Sequence, residues 1–383
     1  MVNRNDTDPI GPLSAQQPLP SQEAQPSPPP RRREGLLGIR RLLHASLLLI
    51  SLVVLFLFPR FVESPYALHI MILLLLNTIM GTSWNILGGY TGQYSIGHAA
   101  YFGVGAYVTM VLMQSRQIPP WVGVWPGVAL VIVIALVIGS ICFRLRGPYF
   151  VLASIGVAEI MRLSAMNLNQ LTNGAEGILA TEVPALTIGG KLITDFNSKT
   201  PFYYASLVLT IVTILIAFLV MRSKLGYCFQ AIREDQDAAH SLGINPTFYK
   251  NVALIISAIF TGIAGGFYAV YIGFVDPNTV MSLDISVQIV LTCIIGGIGT
   301  LYGPLIGSIV IVPIAEALRS NFFADVIFQT GLVSQDSGVG VFLKENLAHA
   351  HALIYGILVV VVIMFMPEGV IGFQRKLLRK RPA

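Results

Sequence analysis

Long apolar blocks constrain this chain more than any other feature. The runs 53–58, 67–76, 128–138, 207–220 and 357–366 each lie inside stretches long enough to cross ~30 Å of hydrocarbon as a helix. Composition fits that distribution: 54% of the 383 residues are hydrophobic and 11% charged, against roughly 25% charged in soluble domains. With no water to satisfy backbone groups in a bilayer, such blocks fold as helices. The expectation is an all-α polytopic membrane helix bundle, which excludes a soluble enzyme and a disordered chain.

Ten candidate spans follow: 42–58, 66–87, 94–113, 122–143, 149–167, 202–221, 249–272, 285–297, 303–318 and 347–366. The eighth is short, and the turn Gly296-Gly297-Ile298-Gly299 leaves a re-entrant hairpin open beside two crossings. Residues 1–35, rich in Pro, Gln and Ser, are expected to be a disordered tail. Residues 36–374 make the membrane domain, and 375–383 a basic tail.

The formal charge of +5 does not imply a nucleic-acid partner, because its position tells another story. Arg31, Arg32, Arg33, Arg40 and Arg41 precede the first span, and Arg375, Lys376, Arg379, Lys380 and Arg381 follow the last. With the N-terminus in the cytoplasm, the Arg144–Arg146 turn and the loop 222–250 also fall inside. Six basic residues then lie outside (Arg60, Arg116, Lys191, Lys199, Arg319, Lys344), Arg162 lies within a span, and seventeen of the 24 lie inside. Both termini are expected in the cytoplasm, with 168–201 and 320–346 as the long outward loops. Cys142, Cys228 and Cys293 are isolated and lack metal-ligand spacing, so they read as packing residues, and no metal or cofactor is expected.

Residues 85–105 are polar and glycine-rich for a membrane segment. Irregular backbone at membrane depth is tolerated when buried in protein or lining a wet cavity, and Gly88, Gly89 and Gly92 ease such an interruption. Two readings stand side by side. Asn85, Gln93, Ser95 and His98 are candidates for a translocation path; alternatively the segment serves packing, with Ala99 and Gly103 four apart as a small-xxx-small contact. Glu159 joins the path candidates. It lies three residues before Arg162 on one helical face, where a charge is expected to face the bundle interior and pair, and a structural pair near the outer end fits at least as well as a transport role. Glu316 and Arg319 repeat that spacing.

The loop 222–250 reads as one short surface helix from Gln230, ended by Gly243 in the left-handed C-terminal position. Ala231, Ala238, Ala239 and Leu242 form its apolar stripe. A docked partner and a solvated connector both fit. No G-x-x-x-x-G-K-[ST] run occurs, so no P-loop ATP site is expected in this chain. Neither HExxH nor a correctly spaced G-x-S-x-G is present, and an intramembrane hydrolase built on Ser95 and His98 has little to support it.

Several motifs together resemble the LivM-like permease subunits of ABC importers for branched-chain amino acids. They are Gly88 to Gly105, Arg146-Gly147-Pro148-Tyr149-Phe150 through Glu159 and Arg162, Asn173 to Ile178, Ala231 to Lys250, Gly296 to Pro304, and Met366-Pro367-Glu368-Gly369. In importer permeases an EAA-xxx-G element forms a coupling helix seated on the ATPase. Asp237-Ala238-Ala239-His240-Ser241-Leu242-Gly243 fits that spacing, with Asp in place of Glu. The resemblance therefore implies an ATPase-coupling role for Arg233, Glu234, Asp237, Ala238, Ala239 and Gly243. It also implies a fold like that of ribose-type permeases, an inner-membrane location, and an assembly with a second permease subunit, two ATPase subunits and an extracytoplasmic binding protein. Leucine, isoleucine and valine are the expected solutes; urea, amides and an ATP-independent carrier are the alternatives.

Overall fold

A computed structural model describes residues 53–319 except 63, 146, 181–185, 189–190 and 195–197, together with Gly356 and Gly369. Residues up to Phe58 form a unit of their own, and of these 53–58 are described and helical. The unit beginning at Pro59 holds every feature below. Both tails, the loop 320–346, the tenth candidate span except Gly356 and the first except for 53–58 lie outside the described residues.

Helix α1 (Pro65–Thr91) begins with proline after Ser64, where a missing N–H costs nothing, and ends where Gly92 turns left-handed. Then come α2 (His98–Arg116), α3 (Pro120–Cys142) and α4 (Pro148–Asn167). A helical turn, Asn169–Thr172, leads into β1 (Ile178–Leu179), β2 (Leu186–Ile188) and β3 (Lys191–Thr194). Helix α5 (Lys199–Arg222) is followed by two short ones, α6 (Lys224–Glu234) and α7 (Gln236–Ser241). The chain continues with α8 (Pro246–Ile272), β4 (Phe274–Val275), a turn at Pro277–Val280, α9 (Leu283–Gly296) and α10 (Gly303–Arg319).

Six described stretches are long and apolar enough to cross a membrane: α1, α3, α4, α5, α8 and Pro277–Gly296. The most apolar window of α1 is 78% buried and that of α8 61%, whereas α3, α4 and α5 bury a third or less. Helices α1 and α8 are therefore central. The outer three present Trp125, Leu152, Ile160 and Val208 outward, as lipid-facing surfaces require. Helices α2 and α8 approach so closely that a Cβ on Gly105 would stand 2.1 Å from the carbonyl oxygen of Gly262. That is the intimacy small residues permit between membrane helices.

The bundle has two distinguishable ends. At the loop end, α6 meets the C-terminus of α1 and the turn between α9 and α10, and α7 packs against α6 and α8. At the far end, Lys199 Nζ donates to Pro65 O (3.3 Å), and β1 pairs antiparallel with β4 through Ile178 with Val275 and Leu179 with Phe274. A second antiparallel ladder joins β2 to β3. These ladders amend the all-α expectation; two to four residues apiece are too short to register as periodicity.

The third span also needs correcting. Helix α2 starts at His98, not 94, while Gly88 and Gly89 stay inside α1. The non-helical backbone is confined to residues 92–97. Its polar groups and the first turn of α2 are met from three helices: Trp84 Nε1 donates to Ser95 O (2.6 Å), Ile96 N to Ser154 Oγ (3.0 Å), and Ala99 N to Ser286 Oγ (2.9 Å). Buried backbone that leaves the helix demands such partners.

Candidate functional site

At the loop end, three sequence-distant segments meet at one point. Arg233 Nη1, from the last turn of α6, donates to Gly89 O (2.7 Å) near the C-terminus of α1, where free carbonyls and the helix dipole favour a cation. Asn85, one turn earlier and buried, accepts from Gly299 N through Oδ1 (2.9 Å) and donates to Thr300 O through Nδ2 (2.9 Å). Gly299 has φ +72°, and a Cβ there would lie 2.4 Å from Arg233 Nη1. A Cβ on Gly89 would lie 2.7 Å from Gly299 N. Only glycine fits where the two backbones touch.

The loop itself is two helices. Asp235 is extended, and its carboxylate accepts from Asp237 N (2.8 Å) and Ala238 N (2.9 Å), so it caps α7 and interrupts the single helix expected from Gln230. That break shifts the helical phase and divides the expected stripe. Ala239 turns inward and is buried, whereas Ala238 and Leu242 point out, Leu242 being 81% exposed. Glu234 and Asp237 are exposed. Gly243 takes φ +84°, and Ile244 N reaches back to Ala239 O (3.1 Å), closing the helix end. Lys250 is fully buried at the start of α8; its Nζ donates to Gln236 Oε1 (2.6 Å), and it sits 6.0 Å from the Phe143 ring centroid. This bond ties α7 to α8.

The path candidates divide. Gln93 lines a cavity of about 510 Å³ with Tyr94, Gly147, Pro148 and Val151. Asn85 belongs to the junction, Ser95 is buried with its Oγ accepting from Gly97 N (3.3 Å), and His98 is fully buried with Nε2 hydrogen-bonded to Ser257 Oγ on α8 (2.7 Å). Glu159 pairs with Arg162 (2.6 Å) but is 48% exposed along its side chain, so the expected inward orientation is not met. The guanidinium also reaches Asn278 Oδ1. A lone (i, i+3) pair satisfies both charges on one face, so neither needs the interior. The side chain of Arg319 lies outside the described residues.

Residues 66–363 match the family described as the permease component of branched-chain amino acid transport systems. The chain belongs to that family. The high-affinity branched-chain amino acid transport system permease protein LivM of Escherichia coli K12 is 27% identical over 294 residues, covering 72% of this chain and 68% of that protein. LivM of Salmonella typhimurium has the same identity and coverage. The permease protein LivH of Salmonella typhimurium is 22% identical over 308 residues, covering 77% of this chain and 90% of its own. No solved structure matches the chain.

Every residue of the junction falls inside the stretch that defines the family. Sequence reasoning named Asn85 and Arg233 but not their common neighbourhood, and it passed over Gln236 and Lys250. A lone lysine opening an apolar span was the available signal for Lys250, because a cation carried into a helix bundle requires a partner.

Proposed function

We propose that this chain is one permease subunit of an ABC importer, carrying branched-chain amino acids into the cytoplasm with ATP hydrolysed by separate subunits. The loop end faces the cytoplasm and both tails lie there, as the distribution of Lys and Arg favours. A second permease subunit, two ATPase subunits and an extracytoplasmic binding protein complete the assembly in the inner membrane. The chain makes ten membrane segments in a ribose-type permease arrangement. Related permease proteins named for branched-chain amino acid transport support the solute class.

One observation carries the coupling. Asp237 and Ala238 on α7 and Leu242 just past its end are exposed, while Arg233 and Lys250 anchor the same loop to α1 and α8. A partner gripping the outer face of α6 and α7 thus pulls on the ends of the central helices, and rigid-body rocking is the natural response. Arg233, Ala239 and Gly243 shape this lever; Glu234, Asp237 and Ala238 offer its contact surface. Of the path candidates Gln93 faces a cavity, whereas Asn85, Ser95, His98 and Glu159 act structurally.

Reconstitution tests the reading. In proteoliposomes with the ATPases, the second permease and the binding protein, leucine accumulates on addition of ATP; with this chain alone it does not. Gradient-driven accumulation by the chain alone would make it a secondary carrier and end the proposal.

A further inference from the structure

A polar cavity of about 320 Å³ lies between α1, α2, α8, α9 and α10, away from the loop end. Its size is at the small end of ligand sites. Its mouth carries Asn278 and Asp284, both exposed; Gln288 and Glu316 line it half-buried; and Asn77, 2% exposed, lies deepest. Asn77 is twelve residues into α1, about 18 Å along the helix from Pro65 at the far end. Apolar walls include Leu76, Phe102 and Val312, and no Lys, Arg or His lines the cavity among the described residues; Arg162, paired with Glu159, reaches only Asn278 at the mouth.

The amide of Asn77 is held in one orientation. Its Nδ2 donates to Thr292 Oγ1 (2.8 Å) and Ser308 Oγ (3.3 Å). Both hydroxyls already commit their protons one turn back, Thr292 to Gln288 O (2.8 Å) and Ser308 to Pro304 O (2.7 Å). A reversed amide would set oxygen against two oxygens with no proton to share. Asn77 Oδ1 is consequently left with no hydrogen-bond donor. A buried acceptor without a donor is costly, and native proteins rarely keep one without use.

We infer that this cavity receives the ammonium group of a small aliphatic amine or amino acid, with Asn77 Oδ1 as the buried acceptor and Asp284 and Glu316 supplying the complementary charge. The apolar walls take the alkyl chain. Naming a transported branched-chain amino acid as the occupant rests on the importer reading; the preference for an ammonium group rests on the cavity alone.

The test uses the full chain in lipid nanodiscs, carrying Ala315→Cys on the cavity wall and Cys228→Ser; Cys142 and Cys293 are buried and stay. The rate of labelling by a neutral methanethiosulfonate is measured with isopentylamine, leucine or 4-methylpentanoate. Isopentylamine and leucine slow labelling at least fivefold, and 4-methylpentanoate, which lacks the ammonium group, does not. Asn77→Leu removes the protection. Asp284→Asn, at an exposed position that leaves the Asn77 network intact, weakens protection by isopentylamine severalfold; unchanged protection in that variant overturns the inference even if Asn77→Leu fails to fold. Equal protection by all three compounds, or none by either amine, also overturns it. Labelling needs no ATPase, so the two readings fail separately. Protection without ATP-driven uptake sinks the importer alone, and uptake without protection sinks the site alone.

Discussion

Asn85→Leu separates a path residue from a clasp. The substitution keeps the branched outline of the side chain but removes two 2.9 Å bonds, leaving Gly299 N–H and Thr300 C=O without their partners. An unsatisfied buried polar group costs about 1–3 kcal/mol. Gly299 and Thr300 are half-buried, so water recovers part of the loss and about 1–2 kcal/mol for each group is appropriate. The total of about 2–4 kcal/mol raises the open population of the 297–303 turn roughly thirtyfold to several-hundredfold. Hydrogen exchange of a peptide covering 297–303, followed by mass spectrometry in nanodiscs, reads this directly, and ATP-driven uptake falls with it. Asn85→Asp restores part of the protection, because a carboxylate still accepts from Gly299 N and Arg233 lies beside it. Exchange within threefold of the unaltered protein in Asn85→Leu would refute the clasp.

Four further outcomes are expected. Leu242→Glu changes an 81% exposed side chain, so thermal unfolding stays unchanged while uptake in the reconstituted transporter drops at least tenfold, with ATP hydrolysis retained. Arg233→Met removes the charge-assisted bond to Gly89 O at the end of α1; uptake is lost, and Arg233→Lys restores it only in part because a lysine lacks the planar fork. Gly105→Val forces a side chain against Gly262 O and costs several kcal/mol, visible as loss of folded protein in thermal unfolding. Ser95→Ala loses one 3.3 Å contact to Gly97 N, and uptake stays within twofold; loss of a hydrolytic activity in this variant would revive the enzyme alternative.

What the sequence disclosed and what it hid have a common cause. Apolar blocks announced α1, α3, α4, α5 and α8 because a bilayer imposes a local rule on each helix. Gly243 was legible because a left-handed helix end favours glycine at one position. Asn85, Ser95 and His98 looked like a wet path because polarity inside an apolar block is visible, whereas their hydrogen-bond partners Thr300, Trp84 and Ser257 are set by tertiary packing. The break at Asp235 was missed for a different reason: an aspartate within a helical pattern reads as one more side chain turned to water until its carboxylate is seen capping the next helix. The deep cavity escaped notice because Asn77 and Glu316 stand 239 positions apart along the chain.

The clasp also sets an order of events during synthesis. Helix α1 enters the membrane carrying Asn77 and Asn85, whose partners at Thr292 and Thr300 leave the ribosome 215 residues later. Until the hairpin of α9 and α10 arrives, those amides have no permanent neighbours, so the first half of the bundle waits, incompletely closed, for the second. Truncation before residue 290 should therefore leave a nascent chain that is inserted yet open to quality-control proteases, and maturation should be timed by the last helices rather than the first.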